Sequence, residues 1–134
     1  MGGQAQFVGG MNVPSSLGGR LNATIPLARL TVGEEKLTMQ PRSFARMFTE
    51  FEVPLKEIAA AFPLTGTFMA SGVGFELSDS QLAYFWTLGE KGRILAVLQN
   101  RGVRVDPVAR RAAGALLGQL GFGGSTRSAV GSVP

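Results

Sequence analysis

The 134-residue sequence contains neither cysteine nor histidine. Without these side chains there is no thiol nucleophile, no disulfide and no imidazole acid–base catalyst, and a zinc site with the usual nitrogen and sulfur ligands is excluded. Most mechanisms of small enzymes need one of these groups. The composition therefore predicts a non-catalytic protein that uses no metal or other cofactor.

Charged residues are also scarce, at 16% of the chain, whereas 45% of it is hydrophobic. A chain of this length usually forms one domain, and the apolar excess predicts that some apolar surface meets a partner. The net charge of +4 comes from 13 basic and 9 acidic residues. The basic residues are scattered from Arg20 to Arg127, which argues against a nucleic-acid-binding stripe.

Long apolar runs are missing as well. No stretch approaches the ~18 consecutive apolar residues of a membrane-spanning helix. The first residues have neither the basic nor the apolar region of a secretory signal. The sequence therefore predicts a cytoplasmic protein.

Glycine and serine are concentrated at the two ends. Residues 1–20 and 121–134 contain few large apolar side chains to offset the entropy lost on ordering. We therefore expect a flexible leader over 1–20 and a flexible tail over 121–134.

Between these ends the hydrophobic pattern is first that of β-strands. Leu21, Ala23 and the following odd positions share one face up to Leu27, and the phase then slips, so that Ala28, Leu30 and Val32 share the other. Together with Pro26, this slip predicts a bulge or sharp bend. The turn 33–35 then leads into an antiparallel strand with Leu37 and Met39 inward.

Four further strands are predicted from alternation over residues 51–55, 58–64, 73–77 and 82–88. Ser71–Gly74 is interpreted as a bend before the third of these, and Asp79–Ser80 as the tip of the last hairpin. Strand 82–88 is apolar on both faces and therefore central. Its Tyr84 and Trp86 are interpreted as core residues.

The period becomes helical after Gly89. Residues 90–101 predict a packed helix with Ile94 and Leu98 in its apolar stripe and Gly102 as its cap. A second, amphipathic helix is predicted from an N-cap at Asp106 to Leu120.

Several segments resemble a bacterial pleckstrin-homology-like or GRAM-like domain over about residues 21–105. They read LNATIPLARLTV, KLTMQPR, FEVPLKEIAAAFP, VGFELSDSQLAYFW and GRILAVLQNRGV. The resemblance implies a bent antiparallel barrel of six to seven strands capped by a helix, thus a mostly β fold with C-terminal α. It also implies a non-catalytic domain that binds lipid headgroups or peptides. Residues 106–120 are an accessory helix beyond it.

One difference from phosphoinositide-binding members bears on the ligand. Those proteins usually carry lysine and arginine at the tip of the first hairpin. Here the tip assigned as first, residues 33–35, carries Glu34 and Glu35, which would repel a phosphate.

Two surfaces are candidate binding sites. The loop 41–51 interleaves bases with apolar side chains, which is typical of contact with an anionic membrane at its inner face. Its alternative role is a helical cap in which the two phenylalanines cover the barrel mouth. The last helix presents an apolar stripe to its own domain or to a second copy, giving a homo-oligomer. The residues concerned are Arg42, Phe44, Arg46, Met47 and Phe48 in the loop, and Leu116, Leu117 and Leu120 in the helix.

Glu50, Glu52 and Glu57 are the only carboxylates clustered enough to suggest acid–base catalysis, and solvated strand positions explain them more simply. The sequence thus favours a binding or scaffolding module that contacts a protein, a peptide or its own copy. The alternatives are peripheral membrane attachment and, less favoured, a carboxylate-based enzyme.

Overall fold

The computed structural model of the chain describes residues 3–15, 18–42, 50–65 and 71–111. These residues form eight strands and one helix, with a 3₁₀ turn at Leu55–Glu57. The elements are β1 (Ala5–Pro14), β2 (Arg20–Val32), β3 (Lys36–Pro41), β4 (Phe51–Pro54), β5 (Ile58–Thr65), β6 (Ser71–Leu77), β7 (Leu82–Thr87), α1 (Lys91–Asn100) and β8 (Arg110–Arg111).

All eight strands belong to one sheet in the order β4-β3-β2-β1-β7-β6-β5-β8. Neighbouring strands are antiparallel except for β5 and β8, which are parallel. The sheet curls into a half-barrel with one helix. The predicted mostly β fold with a packed helix is confirmed, although one short strand, β8, follows that helix. The predicted six to seven antiparallel strands are corrected to an eight-stranded mixed sheet.

The main core fills the concave side of this half-barrel. Alternate residues of the strands point into it, and α1 covers it with Ile94 and Leu98, both fully buried as the predicted stripe requires. Phe75 and Phe85 on neighbouring strands are its largest fully buried side chains, at 1% and 0% exposure. The helix ends at Asn100, and two residues later Gly102, with a φ of 89°, adopts the left-handed conformation predicted for the cap.

The strand β1 corrects the prediction of a flexible leader. Residues 5–14 pair with both β2 and β7, and Phe7, Met11 and Val13 are buried in the core. Its glycines serve close packing: a Cβ on Gly9 would lie 1.9 Å from the carbonyl oxygen of Trp86. Glycine in β1 therefore permits close contact between strands, and its frequency in this segment does not indicate flexibility.

The predicted phase slip in β2 is confirmed as a bulge. Gly9 of β1 pairs with Ala28, but Met11 pairs with Ala23, so residues 24–27 have no partner in β1. The Ile25–Pro26 peptide bond within this bulge is cis. Arg42 supports the bulge, because its backbone N–H donates to Leu27 O at 2.8 Å and its Nη1 to Pro26 O at 3.0 Å.

The predicted second helix does not begin at Asp106. The Asp106 carboxylate does accept the Val108 N–H at 3.1 Å, as an N-cap would, but the chain continues into β8 beside β5. The Asp–Pro signal thus makes an Asx turn that leads into a strand. Residues 112–120, with Leu116, Leu117 and Leu120, lie outside the described residues.

A membrane-spanning helix was sought in the described residues. None of their helices has the length and apolar character needed to cross a bilayer.

Candidate interaction surface

A second apolar cluster lies on the convex side of the sheet, opposite the main core. It consists of Phe62, Leu64 and Trp86, with Ile25, Leu82 and Tyr84 packed against them. Each of the first three is only 1% exposed. We call these six residues the outer cluster.

The outer cluster is arranged in two rows across β5, β6 and β7. Register places Leu64, Gly72 and Trp86 in one row and Phe62, Gly74 and Tyr84 in the other. A glycine lies at the centre of each row, and the Phe62 ring occupies the space above Gly74, where a Cβ would be 2.2 Å from the ring. The segment Ser71–Gly74 is thus part of β6, which corrects its interpretation as a bend.

The β2 bulge closes the cluster on its other side. A Cβ on Gly10, which pairs with Trp86, would lie 2.7 Å from Ala23 O and 2.9 Å from Ile25 N. The bulge therefore folds over the convex side of β1 and brings Ile25 onto the cluster. This arrangement explains why Trp86, interpreted as a core residue, is buried in the outer cluster and not in the main core.

Exposed apolar side chains also lie on the convex side of the sheet. Val8, Leu27 and Leu88 are 44%, 55% and 59% exposed. Val8 and Leu27 occupy strand positions next to the inward-facing Phe7 and Ala28, and Leu88 follows Trp86 by two residues, so alternation places all three on the convex side. We call these three residues together with the outer cluster the outer face. The described residues contain only one further large apolar side chain of comparable exposure, Val108.

Two arginines lie at opposite ends of the Phe62–Gly74–Tyr84 row. The Arg110 guanidinium lies over the Phe62 ring at 3.8 Å, and that of Arg20 lies 5.7 Å from the centre of the Tyr84 ring. Both distances are typical of cation–π contacts. The row thus runs as cation, aromatic, glycine, aromatic, cation.

These arginines are held by different partners. Arg20 donates from Nη2 to Leu82 O at 2.7 Å and to Asn12 O at 3.0 Å, and from Nε to the Asn12 side-chain oxygen. Arg110 contacts the carboxylates of Asp106 at 3.4 Å and Glu76 at 3.8 Å. The geometry fixes both cations at the edge of the outer face.

Burial shifts the acid–base properties of the row. Desolvation lowers the pKa of Arg20, and the Tyr84 charge opposes that shift. Desolvation likewise raises the pKa of Tyr84, opposed by Arg20 and Arg110. The Val108 N–H lowers the pKa of Asp106, and the charge of and hydrogen bond from Arg110 act in the same direction. At neutral pH the row therefore presents Tyr84 as a phenol, with an ionised Asp106 close to one end of the row.

Of the eight predicted binding residues, the structure describes Arg42 alone. It is exposed at the end of β3, where it holds the β2 bulge through the contacts given above. Phe44, Arg46, Met47 and Phe48, like the three leucines of the last segment, fall in the ranges that the structure leaves undescribed. Their roles stay predictions.

Two of the three carboxylates considered for catalysis have ordinary partners. Glu52 forms an ion pair with Lys36 at 2.7 Å, and Glu57 accepts a weak hydrogen bond from Ser78 at 3.5 Å. In the part of the chain that the structure describes, no three acidic groups come together as a metal site.

The turn at residues 33–35 belongs to the second hairpin, and its prediction as the first hairpin is wrong. Because β1 precedes β2, the first hairpin turns at residues 15–19, where Ser15 N–H donates to Gly19 O at 3.0 Å, and Arg20 follows. Glu34 and Glu35 lie in the second hairpin. Their carboxylates therefore do not oppose phosphate binding at the first hairpin.

Sequence comparison identifies no relative: no family model matches the chain, and no curated protein matches it. A solved structure described as "Structure of the Spt16D Pob3N heterodimer" is similar in fold, with a TM-score of 0.56 at 12% sequence identity. The match covers 82% of this chain and 56% of that chain, so this chain spans little more than half of its neighbour. The likeness concerns the fold, which is consistent with a pleckstrin-homology-like domain.

Proposed function

Taking a pleckstrin-homology-like fold as the premise, we propose that this protein is a non-catalytic binding module whose outer face contacts a protein partner. One observation carries the proposal: Val8, Leu27 and Leu88 expose apolar surface on the same side of the sheet as the aromatic outer cluster. Exposed apolar surface that is grouped and edged by polar residues is typical of an interaction site. Tyrosine, tryptophan and arginine are also the residues most often responsible for binding energy in interfaces.

The gain from covering this surface is appreciable. Each of the three side chains has about half of its surface left to bury, which contributes about 1 kcal/mol per residue. Together they would strengthen binding about a hundredfold. Because Val8 and Leu27 lie on strands and Leu88 directly follows one, little conformational entropy is lost when a partner binds.

The structural neighbour supports a protein partner in general terms. It is described as a heterodimer, so a fold of this kind takes part in protein–protein association. We propose the same class of partner for this chain, in the cytoplasm, with a peptide segment or a whole domain as the ligand.

Site-specific photocrosslinking tests the proposal. A photoreactive amino acid is placed at Leu88, and the matched control carries it at Val108, which is similarly exposed but lies in the segment between α1 and β8. We expect a defined adduct from position 88 that Leu27→Asp removes and that the purified partner reproduces. The proposal fails if positions 88 and 108 give the same adducts, or if Leu27→Asp leaves the adduct unchanged while the variant stays folded.

Attachment to an anionic membrane is a second candidate. It is favoured by Arg20, whose described contacts are with Asn12 and the Leu82 carbonyl and with no carboxylate in that part of the chain. Arg42 is exposed at the start of the predicted membrane loop. Sedimentation with anionic liposomes at low salt tests this candidate, with Arg42→Glu/Arg46→Glu as the variant and Arg104→Glu as the control. Absence of binding by the unmodified protein removes it.

A further inference from the structure

The outer face is formed by strands with an uneven charge distribution. The five strands β1, β2, β5, β6 and β7 contain a single acidic residue, Glu76, and two arginines, Arg20 and Arg29. Glu76 is paired with Arg110 of β8. The acidic residues of the described chain lie mainly in turns and at β4, away from this surface.

The arginines lie at the edges of the apolar surface. Arg20 and Arg110 are at the two ends of the Phe62–Gly74–Tyr84 row. Arg29 pairs with Val8 across β1 and β2, beside one of the exposed apolar side chains. Arg110 is already matched by the carboxylates of Glu76 and Asp106, whereas Arg20 and Arg29 form no ion pair within the described residues. The outer face is therefore apolar at its centre, with Arg20 and Arg29 as the cations available at its edge.

We propose that the outer face binds a segment of another protein that carries apolar side chains at its centre and aspartate or glutamate at its flanks. This inference rests on the proposed function and adds the chemistry of the partner. The apolar centre of the segment would cover Val8, Leu27 and Leu88. Its carboxylates would lie against the arginines at the edge, which makes the two charge patterns complementary.

A second copy of the chain fits this surface less well. A two-fold interface places the same patch of both copies face to face, which would bring the arginines of both copies into one interface without adding a carboxylate to match them. Like charges in an interface oppose association. The net charge of +4 adds to this repulsion.

The chain's own C-terminal residues also lack the required chemistry. Residues 112–134 contain one charged side chain, Arg127, and no aspartate or glutamate. An anionic membrane would also supply negative charge, so binding to vesicles is one of the outcomes that the test below separates. Charge complementarity thus favours an acidic protein segment over a second copy and over the C-terminal residues, and the fold shared with a protein heterodimer favours it over a membrane.

The size of the charge preference follows from exposed ion pairs. Each such pair adds little, and two pairs, at Arg20 and Arg29, together strengthen binding about fivefold at low ionic strength. Screening at high salt should remove most of that preference. The apolar part of the affinity should remain.

Two synthetic peptides test the inference. Both carry the central sequence Ile-Phe-Val-Leu, one with two glutamates at each end and the other with two lysines. Trp86 is the only tryptophan of the chain and lies in the outer cluster, so its fluorescence reports binding directly. We expect the glutamate-flanked peptide to bind about fivefold more tightly at low salt. Arg29→Glu should reduce that preference by about threefold, and Lys56→Glu, at an exposed position in the 3₁₀ turn, should leave it unchanged.

The outcomes separate the two proposals. Equal affinity for both peptides, removed in each case by Leu88→Asp, overturns the acidic partner and keeps the outer face as a binding surface. No Trp86 response to either peptide speaks against the surface itself. Three results would each assign the surface to another occupant and overturn the inference. The first is a concentration-dependent dimer that Leu88→Asp abolishes, and the second is a Trp86 response to anionic vesicles alone. The third is a shift in Trp86 emission when residues 112–134 are removed.

Discussion

Adding one methyl group to the outer cluster should destabilise the whole domain. In Gly74→Ala the new Cβ would be placed 2.2 Å from Cε1 and 2.4 Å from Cζ of Phe62. Both are ring atoms of a side chain that is 1% exposed, so the ring has no free space to move into. Phe62 must leave its row, and its contacts with Leu64 and Trp86 are lost together with the Arg110 contact.

The expected cost combines two effects. Overpacking a buried site costs about 1–3 kcal/mol, and loss of the cation–π contact adds about 0.5–1 kcal/mol. We therefore expect a loss of about 2–3 kcal/mol in unfolding free energy. For a domain of this size that corresponds to a fall of about 10 °C in Tm.

Urea and thermal denaturation followed by Trp86 fluorescence measure this change. Gly92→Ala is the matched control, because nothing lies within 4 Å of its Cβ position and it lies in α1; it should be neutral or stabilise by up to about 1 kcal/mol. Combining Gly74→Ala with Phe62→Leu should cost less than the sum of the two single changes, because leucine leaves room for the methyl group. The reasoning is refuted if Gly74→Ala is as stable as the unmodified protein or if the two changes are strictly additive.

Three further predictions concern single side chains. Arg101 donates to Gly33 O and, at 2.8 Å, to Gly3 O. Arg101→Ala should therefore lower the unfolding free energy measured in urea by about 1–3 kcal/mol and speed amide exchange in β1. Unchanged amide exchange in β1 would contradict this role. Burial raises the pKa of Tyr84 above 10.0, so this tyrosine ionises at lower pH in the unfolded chain than in the folded protein. Stability should therefore fall as the pH rises above 10.0. A phenolate titration of this single tyrosine with a midpoint at or below 10.0 would contradict the direction of the shift. The pKa of Asp106 in the folded protein lies below 3.8. Its ionised carboxylate should therefore stabilise the fold above pH 3.8, and this stabilisation should be lost as the pH falls through the pKa of the folded state. Asp106→Asn should remove this acid dependence, and an unchanged pH profile of stability in the variant would contradict the prediction.

Local patterns in the sequence predicted much of the sheet. The turn between Val32 and Lys36, the phase slip at Leu27 and the left-handed cap at Gly102 all appear as expected. Each depends on interactions within a few residues, such as alternation or a backbone angle that glycine adopts readily. Contacts between distant parts of the chain therefore seldom change the local structure that such patterns predict.

The outer face could not be predicted in the same way, because it depends on contacts between distant strands. Gly72 and Gly74 alternate within β6, a pattern that signals large neighbours only once the register with Phe62 and Trp86 is known. Strand β1 was missed for the same reason. Its glycines were weighed by their local entropy, whereas their role is to let β2 and β7 approach closely.

The segment that follows α1 protects one side of the sheet from other molecules. Ala61 N–H donates to Arg104 O, Asp106 N–H donates to Ala61 O, and β8 pairs with Leu64 and Thr65, so residues 104–111 run along the outer edge of β5. An uncovered strand edge is a template for intermolecular pairing and fibril growth. Chains shortened to end before Arg104 should therefore lose solubility before they lose secondary structure, and expression work on this protein should retain residues up to at least Arg111.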